Sequence, residues 1–191
     1  MKAFNKTIYF LEMLKSQIEL SDEAIAFIAS RVSRQSYSKG TVFIKRGELC
    51  DQFYFLTHGL VRAYFNHDAK QITTWICDEY SLVTSVHGFF SQSPALETIQ
   101  CLEPCNFECF RYEDLYDAVE KFPEINFSYR KTIEEYYKNS ELRSYMARIP
   151  TAKDRYDFFV QNTKKELFDR IPKKYLASLL SIRPETLTRI S

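Results

Sequence analysis

The residues best suited to chemistry lie at the C-terminal end of the chain, in residues 171–191, IPKKYLASLLSIRPETLTRIS. At about 100° per residue, a helix begun by Pro184 puts Leu187 and Ile190 on one face. Glu185, Thr188 and Arg189 take the opposite face. Upstream, Pro172 can open a first helix because the amide it lacks would have no partner there. Leu176, Leu179 and Leu180 then share a side, with small Ala177 where a second helix can cross. Leu180, Ser181 and Ile182 make the turn between the two helices. An apolar-backed helix with a Glu/Thr/Arg front is the pattern of a recognition helix in a DNA major groove. An ordinary helical hairpin with a solvated face would share it.

No other set of residues points to chemistry so directly. Cys101, Cys105 and Cys109 recur every four residues with Cys77 upstream, which raises metal-cluster and thiol-redox readings. On strands, cysteine is commonly a small hydrophobe. His58, His67 and His87 fall in or near turns and form no H-x-H pair, which argues against a metal-dependent jelly-roll enzyme of cupin type. Neither a Ser/His/Asp constellation nor a glycine-rich phosphate loop is present. We expect no catalytic residue, no metal and no cofactor.

Charge separates the two ends. The net charge is +1. Residues 1–142 hold 15 Lys/Arg against 20 Asp/Glu, whereas residues 143–191 hold 11 against 5. A basic tail carrying a helix–turn–helix pattern fits a nucleic-acid module. The acidic remainder fits a ligand or protein partner better. With 45% hydrophobic residues the chain is expected to be globular. No apolar run approaches the roughly 18 residues of a membrane span. Glu12, Lys15 and Glu19 within the first 20 residues argue against a signal peptide, and five cysteines, an odd count, suit reduced thiols. The expected compartment is the cytoplasm.

The elements that must position the tail are legible in outline. Helices are expected over residues 7–15 and 22–32, the second capped by Ser21. TVFI (41–44), QFYFL (52–56), LVRAYF (60–65) and QITTWI (71–76) read as strands between turns. Further strands are expected over 81–84, 97–102 and 106–111. Many short strands at this spacing suggest a jelly roll or barrel. Residues 112–121 read as a short helix. Residues 124–148 then run without Gly or Pro as a helix long enough to pair with its twin in a dimer. A helix lying along its own barrel is the alternative. Residues 152–161 form one more helix before the closing motif.

This order resembles the cyclic-AMP receptor / fumarate-nitrate regulator (Crp/Fnr) family of bacterial transcription factors. KGTVFIKRGE (39–48) and FYFLTHGLVRAYF (53–65) resemble early turns of that family's cyclic-nucleotide-binding roll. AKDRYDFF (152–159) with IPKKYLASLLSIRPETLTRI (171–190) resembles its DNA-binding domain. The resemblance implies an α+β chain: a cyclic-nucleotide-binding-like β-roll (jelly roll) over 1–122, a dimerisation helix over 123–148, and a winged helix–turn–helix over 149–191. It implies base contacts from Glu185, Thr188 and Arg189, since Arg can grip guanine and Glu can accept from cytosine. Lys173, Lys174, Arg183 and Thr186 would meet phosphates, and Tyr129, Ile133, Tyr136 and Tyr137 would line the dimer seam. The implied partners are a pseudo-palindromic double-stranded operator, a second copy of the chain and RNA polymerase.

The nucleotide pocket departs from the family pattern. Cyclic-AMP binders carry a Gly-Glu and an Arg-Ser pair, where this chain reads SLVTSVHGFF (81–90) and SPALETIQ (93–100). Residues 71–110 contain no Lys or Arg, and an unpaired buried phosphate would cost several kcal/mol. Control by cyclic AMP is therefore not expected. Thr84, Ser85, His87, Glu97 and Thr98 are left as a pocket for an unidentified ligand. The alternative is a sensor answering to such a ligand or to thiol oxidation.

Overall fold

The computed structural model describes residues 7–191. Helices α1 (Tyr9–Lys15) and α2 (Asp22–Arg31) open the chain, and Ser21 caps α2 by accepting from Ala24 N at 3.2 Å. Eight strands follow: β1 (Ser33–Tyr37), β2 (Val42–Ile44), β3 (Gln52–His58), β4 (Val61–His67), β5 (Lys70–Cys77), β6 (Leu82–Val83), β7 (Thr98–Cys101) and β8 (Cys105–Arg111). Helix α3 (Val86–Ser91) interrupts them after β6. Two antiparallel four-stranded sheets result, ordered β1-β8-β3-β6 and β2-β7-β4-β5. This is the roll expected from the strand texture.

The sheets close over an apolar interior of Leu56, Val61, Ala63, Val83, Ile99 and Phe107, all nearly inaccessible. Strand alternation sends Arg62, Tyr64 and Ile76 of β4 and β5 to the outer face of the second sheet. A second cluster joins α1 and α2 to the first sheet through Phe10, Phe53, Phe55 and Phe110. Buried Glu108 of β8 anchors α1 by accepting from Tyr9 N at 3.1 Å and Phe10 N at 2.8 Å. No local pattern marks Glu108 for that role, because α1 lies about a hundred residues away in the chain.

Two tight turns rely on glycine. Gly47 has φ +89° and Gly59 has φ +110°. At Gly59 a Cβ would lie 2.6 Å from Cys105 Sγ and 2.6 Å from the Pro104 carbonyl, so no side chain fits.

Helices α4 (Tyr112–Lys121) and α5 (Pro123–Arg148) follow the roll. Then come α6 (Ala152–Gln161), α7 (Lys165–Arg170), α8 (Lys173–Leu179) and α9 (Pro184–Ile190). The sequence reading missed β1 in part, α3 and α7. Residues 149–191 are helical and contain no strand, so the wing implied by the resemblance is absent among the described residues. Helix α7 occupies the stretch ahead of the motif.

Candidate nucleic-acid interface

Helices α8 and α9 form the hairpin expected from residues 171–191. Leu176, Ala177, Leu180 and Leu187 are buried together with Ile171 and Met146. The turn is a left-handed cap: Ser181 has φ +53°, and Ile182 N donates to the Ala177 carbonyl at 3.0 Å. Arg155 of α6 bolts the hairpin to the end of α5, donating to the Leu180 carbonyl at 2.9 Å and the Ile149 carbonyl at 2.7 Å. Nothing local in the sequence marks Arg155 for this, because its partners are backbone oxygens on other elements.

On α9, Glu185, Thr188 and Arg189 are exposed on the face opposite Leu187. Thr188 Oγ1 also donates to the Pro184 carbonyl at 3.1 Å, within its own helix. Arg183 and Lys173 are exposed, as is Lys174, whose ammonium lies 4.6 Å from the Tyr175 ring centre. Thr186 is half-buried. The fold thus brings the named reading and phosphate residues onto one small hairpin.

That hairpin is seated on the roll. Tyr175 of α8 covers Arg62, which is 2% exposed. The guanidinium lies 4.2 Å from the Tyr64 ring and 3.8 Å from the Tyr175 ring. Ser178 Oγ accepts from Thr73 N at 2.9 Å and donates to the Gln71 carbonyl at 3.1 Å. Arg170 is held by Glu79 and Glu103.

The five residues assigned to a ligand pocket do not converge. Thr84 Oγ1 donates to the Gln52 carbonyl at 3.2 Å, and Thr98 Oγ1 accepts from Arg46 N at 3.2 Å. Ser85 is buried at the start of α3, and exposed His87 lies 3.4 Å from Ser93 Oγ. Glu97 turns to β5 instead, accepting from Thr74 Oγ1 at 2.9 Å and Trp75 Nε1 at 3.2 Å. Thr84, Glu97 and Thr98 are thus each taken up by a different neighbour. Burial raises the Glu97 carboxyl above its ordinary range, while Arg143 of α5 acts in the other direction. The strand segment lacks a cation, as read, but α5 brings one to Glu97. No local pattern marks Arg143 for this, because it stands on α5, far from Glu97 in the sequence.

Residues 34–122 match the model of the cyclic nucleotide-binding domain family. That stretch has the fold of a cyclic nucleotide-binding domain. The chain beyond it is similar in fold to solved transcription regulators, one of them described as of the Crp/Fnr family. The structure of FixK2 from Bradyrhizobium japonicum superposes with a TM-score of 0.73 at 14% identity, covering 83% of this chain and 82% of that one. A CooA mutant from Carboxydothermus hydrogenoformans gives 0.70 at 17% identity, covering 94% and 81%. A Crp/Fnr-family regulator from Eubacterium rectale gives 0.68 at 14%, covering 98% and 86%. No curated protein matches the sequence.

Within the cyclic nucleotide-binding domain all five cysteines are free thiols, and four of them are buried. The Cys101 and Cys105 thiols are neighbours that influence each other's ionisation, and Cys105 Sγ donates to the Leu60 carbonyl at 3.4 Å and the Glu103 carbonyl at 3.3 Å. Burial pushes the Cys77 and Cys109 thiols up to about 12 each, which leaves little thiolate at neutral pH. Among the described residues no group of three or more His, Cys, Asp or Glu is arranged to hold a metal ion, and no helix is long and apolar enough to cross a membrane.

Helix α5 presents two faces. Ile125, Ser128 and Met146 are buried against the rest of the chain. Tyr129 is half-buried on that inner side, with its ring 6.5 Å from Phe90 and its hydroxyl toward Tyr116. Ile133 and Tyr136 are 37% exposed and Tyr137 is 70% exposed.

Proposed function

We propose that this chain is a cytoplasmic, homodimeric, sequence-specific DNA-binding regulator of the Crp/Fnr type that does not use cyclic AMP. The observation that carries the reading is the exposed Glu185/Thr188/Arg189 face of α9, backed by buried Leu187 and mounted on the basic end of the chain. Two copies related by a two-fold axis would enter successive major grooves about 34 Å apart. The apolar exposed strip of α5, with Ile133 and Tyr137, supports pairing with a second copy.

Arg189 reads a base on this proposal, and Lys173 meets a phosphate. Arg189→Ala is expected to cost about 1–3 kcal/mol on a selected duplex and to relax preference at one position per half-site. Lys173→Ala is expected to weaken all sequences alike and flatten the salt slope by about one unit. Titration of selected and scrambled duplexes at several salt concentrations tests both. An equal loss on the two duplexes for Arg189→Ala would make it a phosphate contact and overturn the reading face.

A second reading is a thiol-responsive regulator, favoured by the mutual contact of Cys101 and Cys105. Their burial, at 1% and 2% exposed, weighs against it.

A further inference from the structure

The surface joining the DNA-binding hairpin to the roll is built in two unlike parts. Its rim is a charge clasp. Arg170, at the end of α7 and three residues before Lys173, gives Nη1 to Glu79 Oε2 at 2.7 Å and Nη2 to Glu79 Oε1 at 2.9 Å. The same guanidinium reaches Glu103 Oε2 at 2.6 Å and Oε1 at 3.2 Å. Glu79 is itself fixed by Gly59 N at 2.7 Å. Arg170 holds the Glu79 carboxyl far below its ordinary range, at about 2. The two carboxylates stand on separate turns of the roll, so one side chain gathers β5–β6, β7–β8 and α7.

Beneath the rim the contact is poorly satisfied. Arg62 is buried, yet its partners are the amide oxygens of Gln71 and Gln100 and two aromatic rings, none of them an anion. Thr73 Oγ1 is buried in the same contact with no hydrogen-bond partner. Water would serve both groups better than the interface does, which offsets part of what the Ser178 bonds and the packing of Ile76 contribute there. A contact with a reluctant interior depends on its rim.

Taking the proposed function as given, we propose that the Arg170–Glu79/Glu103 clasp is a latch holding the DNA-binding hairpin in a restrained, low-affinity seat on its own roll. Seated, the lysine-bearing start of α8 follows Arg170 directly and stands beside the carboxylates of the acidic part of the chain, which opposes an approaching phosphate. Released, α8 and α9 keep their own packing against α6 while the hairpin leaves those carboxylates.

The test replaces the roll side of the latch and leaves every residue of the DNA-binding hairpin intact. Glu79→Gln/Glu103→Gln keeps the shapes and removes the charges. Its control, Glu113→Gln/Glu120→Gln on α4, removes two charges from another surface. The probe is a duplex selected from a random pool by the wild-type chain. The latch variant is expected to bind it about tenfold more tightly, with the control within about twofold of wild type. Amide exchange in β5 and α8 should rise in the latch variant alone. Equal or weaker binding by the latch variant, or an equal gain in the control, overturns the latch. If the double variant does not fold, Glu103→Gln alone is read by the same criteria. A wild type that selects no duplex removes the proposed function instead. Exchange then decides the clasp by itself, and unchanged protection of α8 overturns it.

Discussion

Gly59 shows how little slack one residue can have. Its φ of +110° suits glycine, and the Cys105 sulfur and Pro104 carbonyl occupy the place of a Cβ. Its amide meanwhile holds Glu79. Gly59→Ala is expected to lower stability by about 2 kcal/mol or more through backbone strain and the clash with main chain. Thermal unfolding of the two proteins checks this, and an unchanged midpoint would contradict the geometry. The need for a turn here is legible because Gly59 falls between the strand runs 52–56 and 60–65. The close approach of Cys105 is not, because the two residues are distant in sequence. The same holds for Arg170 and Arg62. Glu185, Thr188 and Arg189 were readable because a helical period sorts faces without any tertiary knowledge. The partners of Arg170 lie 67 and 91 residues away, and no local pattern connects them.

Among the elements, α5 offers the surface on which the proposed dimer rests. Its length follows from a run free of Gly and Pro, but which residues face inward does not. Ile125 and Tyr129 pack on their own chain, while Ile133 and Tyr137 remain open. Charge at the open strip should break a pair of such helices, since a buried unpaired carboxylate is costly. Ile133→Asp is therefore expected to shift the protein toward monomer in light scattering, with the wild type at twice the chain mass. A wild type that runs as a monomer at micromolar concentration would exclude the dimer. The short helices were harder to read. Helices α3 and α7 each span six residues, too few for a period to declare itself.

For the molecule as a whole, element order sufficed to indicate the roll, the long helix and the closing hairpin. Their mutual seating was invisible, because it depends on outward-facing residues such as Arg62 and Thr73 that read as ordinary strand polars. Effector choice is also a property of the whole. The cation nearest in effect to Glu97, Arg143, comes from α5 and draws the Glu97 carboxyl toward its charged form, against burial. A cyclic phosphate would have to displace one anion to gain one cation. Cyclic AMP and cyclic GMP are thus expected to give no saturable heat in calorimetry up to about millimolar, a ceiling of roughly −4 kcal/mol. Micromolar binding of either would show that Glu97 yields its place.

Ser178 has one more consequence. Strand β5 ends its sheet, and the Ser178 hydroxyl occupies the outward amide of Thr73 and carbonyl of Gln71 much as a neighbouring strand would. The helix that leads to the reading face is therefore also a guard on a raw sheet margin. If the latch proposed above opens, the lifted helix would leave that margin open to a foreign strand, in competition with the proposed binding to DNA. Freedom to act and freedom to aggregate would then arise from a single motion. Such a chain gains from keeping its liberated form brief or bound.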